Sequence, residues 1–85
     1  METPYEITYR TEVADTDLPR IDIRWQHEIL SAIEGKLRTQ PEVFAKPLRR
    51  SLKGCRSLRV GDYRVVFQIQ KKKILILAIR HRSSE

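Results

Sequence analysis

The chain has 85 residues, enough for one small domain spanning 1–85 and too few for two with separate cores. Its 17 Lys and Arg outnumber 11 Asp and Glu, a net charge of +6 with a pI near 9.9, which favours nucleic acid as partner ahead of an anionic membrane surface. There is no run of about 18 apolar residues and no apolar stretch behind a basic start, so a soluble, unexported, cytoplasmic protein with no membrane partner is expected.

Pro4 to Arg10 alternates Tyr5, Ile7 and Tyr9 with Glu6, Thr8 and Arg10, the two-residue period of a half-buried strand. Residues 11–18 are expected to form one or two helical turns halted by Pro19. From Arg20 to Arg38, Trp25, Ile29, Leu30, Ile33 and Leu37 recur at three and four, the apolar stripe of an amphipathic helix that Gln40-Pro41 ends. His27 and Glu28 on this helix have no spaced partners that would make a metal site. Pro41 to Lys53 reads as a connector, with a short helical turn at most. Three strands complete the chain: Arg56 to Val60, Tyr63 to Gln70 and Lys73 to His81. The expected fold is α+β, an antiparallel sheet of the N-terminal strand and a three-stranded C-terminal meander packed against one long and one short helix.

Gly61-Asp62 places glycine first in a two-residue hairpin, the requirement of a type II′ turn. Val60 then faces Tyr63, Arg59 faces Arg64 and Leu58 faces Val65. Leu58, Val60, Tyr63, Val65 and Phe67 form one apolar face for the long helix, and Arg59 and Arg64 stand side by side on the other. Like charges so placed repel unless an anion lies between them, and a phosphate would convert that repulsion into charge-assisted hydrogen bonds. The solvated alternative has the two arginines splayed apart, or one paired with Asp62.

The length of the next loop, near residues 70–73, is open. An odd loop puts Leu75, Leu77 and Ile79 in the core and Arg80 and Arg82 on the arginine face; an even loop puts His81 there instead. An imidazole in that position can act as general acid or base. Lys53 and Arg56, around Gly54, are expected to border the same face and contact successive phosphates. Lys71 to Lys73 reads as a solvated hairpin tip. Cys55, the lone cysteine, cannot form an internal disulfide, suits a reducing compartment and has no neighbouring base to activate it.

The order of elements, with LKG followed by SLRVGDYRVVF and then ILAIRHR, resembles the RelE/ParE superfamily of type II toxin-antitoxin toxins over nearly the whole chain. The most specific part is LRVGDYRVVF at 58–67 together with His81-Arg82. The RelE branch implies an endoribonuclease that cuts messenger RNA on the ribosome and so inhibits translation. Arg64 matches the arginine of the family's Tyr-Arg pair, Arg59 the basic residue of the preceding strand, and His81-Arg82 the C-terminal basic element. Ser57 stands where some members carry lysine, and the tyrosine that often follows the His-Arg pair is not found. The implied reaction needs neither metal nor cofactor: the substrate's 2′-hydroxyl attacks the adjacent phosphate. Arg59, Arg64, His81 and Arg82 are the expected catalytic residues, and Lys53, Arg56 and Arg80 the expected RNA contacts. The resemblance also implies a cognate antitoxin, through which alone operator DNA would be bound. A ParE-like gyrase inhibitor and a non-catalytic RNA-binding module are the alternatives.

Overall fold

The protein is described by a computed structural model covering residues 4–44, 46–47 and 54–84. It is α+β, as expected, and one sheet with strand order β1-β5-β4-β3-β2 runs through it. The strands are β1 (Glu6–Tyr9), β2 (Lys46–Pro47), β3 (Cys55–Val60), β4 (Tyr63–Gln70) and β5 (Lys73–His81). The meander is antiparallel, but the expectation of an antiparallel sheet throughout is corrected: β1 runs parallel to β5, pairing Glu6 with Lys73 through Tyr9 with Ile76. The long helical crossover between β1 and the meander provides the chain length that parallel pairing needs and a tight hairpin does not.

A helical segment at 11–20 follows β1. It is wide, π-type, over Val13–Asp17 and tightens to a 3-10 turn over Leu18–Arg20. Pro19 does not halt it. It occupies the start of the tighter turn, where its missing N–H is no loss, and the chain becomes extended only at Ile21. The long helix α1 (Ile23–Ala32) therefore begins three residues later than Arg20 and is capped by Asp22, whose carboxylate accepts the Arg24 N–H at 2.9 Å. It continues as a π-type stretch, Ile33–Leu37. The connector holds a helical turn, α2 (Pro41–Phe44), and the short edge strand β2.

Ile29, Ile33 and Leu37 are fully buried, and with Val13 they meet Leu58, Val65, Phe67, Ile74 and Ile76 in the core. Each such side chain contributes about 1.5–3 kcal/mol by leaving water. Trp25 departs from the stripe. It is 38% exposed and lies against the β3–β4 turn, where its ring edge takes the space a Cβ at Gly61 would fill.

The β3–β4 hairpin has the expected register, with Val60 opposite Tyr63, Arg59 opposite Arg64 and Leu58 opposite Val65. Gly61 has φ +59° and Asp62 has no positive φ, which identifies the type II′ turn. The β4–β5 loop is even: Gln70 pairs with Lys73 across Lys71 and Lys72. Neither sequence alternative for the faces holds, however, because Leu77 is an extra residue. Phe67 pairs with Ile76 and Val66 with Ala78, a β-bulge. Ile76 and Ile79 are three apart and both buried, which strict alternation forbids and the bulge permits.

Candidate functional site

The bulge decides which residues share the arginine face. Arg64 pairs with Arg80, and Arg59 pairs with Arg64, so three arginines stand in register on neighbouring strands about 4.8 Å apart. His81 pairs with Tyr63 on the opposite face, where the even-loop expectation is corrected. Its ring meets Tyr63 edge-on at 5.0 Å, and Tyr63 in turn meets Trp25 at 5.7 Å. The Ser83 N–H donates to His81 Nδ1 at 3.1 Å, and the Ser83 hydroxyl lies 2.7 Å from the same nitrogen. A neutral His81 ring so bonded carries its proton on Nε2.

Arg82 leaves β5 into the short turn Arg82–Ser84. Its N–H donates to the Asp62 carbonyl at 2.8 Å, and its guanidinium lies 3.6 Å from the Asp62 carboxylate. Asp62 is thus partnered with Arg82, while Arg59 Nε donates to the Gly61 carbonyl at 3.4 Å. The hairpin turn holds both flanking arginines. Arg59, Asp62, Tyr63, Arg64 and Arg82 line one cleft of about 310 Å³. The cleft thus gathers three guanidinium-bearing side chains, the group that pairs well with a tetrahedral anion.

The other expected contacts are not brought together there. Strand alternation sets Arg56 on the Leu58 side, opposite Phe67 and away from Arg59, so it does not border the arginine face. Lys53 lies outside the described residues. Ser57 is on the arginine side, opposite Val66. Cys55 is buried, and His27 is exposed on α1 in a shallow groove with Ile23 and Leu30.

The reading from sequence missed two supporting residues. β1 ends opposite Ile76, so the β5 edge beyond it lacks a strand partner on that side; Asp17 reaches over from the helical segment and accepts the Ile79 N–H at 3.1 Å. Arg20 follows on the same segment and, with Asp17, Ile21, Tyr63, Ile79, Arg80 and His81, lines a second cleft of about 300 Å³. The Asp-Thr-Asp cluster at 15–17 hints at a capping role, but its target is 62 residues away.

The fold agrees with what the chain is similar to. The profile for the ParE toxin of the type II toxin-antitoxin system parDE matches residues 9–85. Toxin RelE of Mycobacterium tuberculosis (strain ATCC 25618 / H37Rv) is 35% identical over 83 residues, 95% of this chain and 84% of the relative. Toxin RelG of the same strain is 33% identical over 82 residues, 94% and 93% of the two chains. In the crystal structure of the RelBE2 toxin-antitoxin complex from M. tuberculosis, one chain matches with a TM-score of 0.85 at 32% identity, covering 93% of this chain and 99% of that one. The chain belongs to the RelE/ParE superfamily of type II toxin-antitoxin toxins.

Among the described residues no helix is long and apolar enough to cross a membrane.

Proposed function

We propose that residues 1–85 form one RelE-like toxin domain that inhibits translation in the cytoplasm by cleaving messenger RNA on the ribosome. The observation that carries this reading is the row Arg59, Arg64, Arg80 with Arg82 closing the cleft at one end. In the proposed reaction the 2′-oxygen forms a bond to the adjacent phosphorus and the bond to the 5′-oxygen breaks. The proton lost by the 2′-hydroxyl is balanced by one gained at the departing 5′-oxygen, and the products are a 2′,3′-cyclic phosphate and a 5′-hydroxyl. Arg59 and Arg64 neutralise charge developing on the phosphorane oxygens, and Arg82 holds the scissile phosphate. Because the phosphate's charge is met by arginines, no metal is invoked.

His81 faces away from Arg64, so its part is at the margin of the cleft rather than over the reacting phosphate. Much of the acceleration then comes from holding the RNA in line, with the ribosome imposing part of that geometry. A cognate antitoxin is the proposed second partner. One similar chain of known structure is part of a toxin-antitoxin complex, and a chain of net charge +6 suits an acidic covering segment. Operator DNA would be met only through that antitoxin.

Primer extension on translated message, with and without Arg64→Ala, tests the assignment; an undiminished cleavage ladder in the variant sinks it. A second reading, inhibition of DNA gyrase, is favoured by the match to the ParE toxin profile. Inhibition of gyrase supercoiling by the pure protein, with no new RNA ends in cells, would establish that reading instead.

A further inference from the structure

We infer that the sheet carries a second phosphate subsite, supplied by Arg20 with Arg80 and His81, which takes the neighbouring phosphate of a single-stranded RNA. The inference rests on the RNA-cleaving reading above. Arg59 and Arg80 are two strand spacings apart, about 10 Å, a row wider than one phosphate group. Tyr63 borders both clefts, the one with Arg59, Arg64 and Arg82 and the one with Arg20, Arg80 and His81. The cationic surface therefore continues past the scissile position onto the 3-10 turn.

The second cleft has the donors a phosphate needs. Asp17, its one carboxylate, is engaged by the Ile79 N–H, and its single charge is outnumbered by Arg20 and Arg80. The Ser83 N–H occupies His81 Nδ1, so the neutral ring's other nitrogen is a donor. Arg80 and His81 alternate between the faces of the sheet, but at the open β5 edge both line, with Arg20, a cleft of about 300 Å³, and these residue types carry donors suited to phosphate oxygens. Arg20 is exposed at the end of its turn.

The test compares wild type, Arg20→Ala, Arg20→Lys and Arg64→Ala for binding to 2′-O-methyl RNAs, which cannot undergo 2′-attack. A dinucleotide with one phosphate and a hexanucleotide are titrated by NMR and fluorescence anisotropy at several salt concentrations. Arg20→Ala is expected to weaken hexanucleotide binding about five- to tenfold and to reduce the salt slope by about 0.7, the value for one contact to a single strand. It should leave the dinucleotide unaffected, and Arg20→Lys should recover most of the loss. Hexanucleotide binding unchanged by Arg20→Ala, or an equal loss for both ligands, overturns the second subsite. If Arg64→Ala still abolishes message cleavage in that case, only the subsite falls. If wild type binds neither RNA and cleavage is indifferent to Arg64, the RNA reading falls with it.

Discussion

Arg64 stands directly opposite Arg80 across β4 and β5, one step in register from Tyr63 and His81. The two pairs face opposite sides of the sheet, so they should differ sharply on mutation. Arg64→Ala is expected to lower ribosome-dependent cleavage by about 10²–10³-fold, the scale of removing one donor to a developing oxyanion. His81→Ala should cost distinctly less. Single-turnover cleavage of translated message measures both, and equal losses would refute the division of faces.

Gly61 combines φ +59° with a close approach to Trp25. Gly61→Ala is expected to destabilise the fold by about 1–3 kcal/mol from backbone strain alone, with overlap against the Trp25 ring added. In the Gly61→Ala background, Trp25→Ala should relieve the overlap and leave the strain. Urea denaturation of the single and double variants separates the two terms, and full recovery in the double variant would show that the turn does not need a left-handed residue.

Asp17 secures the β5 edge by accepting the Ile79 N–H. Asp17→Ala leaves that amide without its acceptor and should cost about 1–3 kcal/mol. Asp17→Asn keeps a carbonyl oxygen and should lose less. Hydrogen exchange at Ile79 is the direct readout; unchanged protection in Asp17→Ala would contradict the edge-capping role.

Stability should fall at both ends of the pH range for separate reasons. The hydrogen bond from Arg38 is the main cause that holds the Glu34 carboxyl below its ordinary range. Its contribution is complete above the unfolded carboxylate range and is lost as pH falls through the lowered folded value. Both partners are well exposed, so solvent screening keeps the contribution of the pair small. Burial, then the nearby Glu34 charge, pushes the Tyr9 phenol up, so its contribution is present at neutral pH and lost as pH rises through the raised folded value. Urea midpoints of Glu34→Gln and wild type should converge in acid, and Tyr9→Phe should resist alkaline loss. A parallel pH profile in either variant would remove that residue from the explanation.

The amino-acid sequence by itself determined the elements whose signals are local. β4 and β5 end where alternation and turn residues put them, α1 lies within its apolar stripe, and Gly61-Asp62 sets Arg59 opposite Arg64 because a two-residue turn leaves no freedom of register. The superfamily was legible too, from the spacing of the Tyr-Arg pair and His81-Arg82. The second hairpin was not. Lys71 takes φ +58° without the glycine or asparagine that usually marks such a turn, and residues 74–79 are all apolar, so no alternation shows which of them face inward. Packing decided it. Burying both Ile76 and Ile79 makes Leu77 a bulge, which turns Arg80 to the arginine face and His81 away from it. The parallel seat of β1, the Asp17 cap and the place of Arg20 likewise depend on contacts far apart in the chain, which only the folded layers bring together.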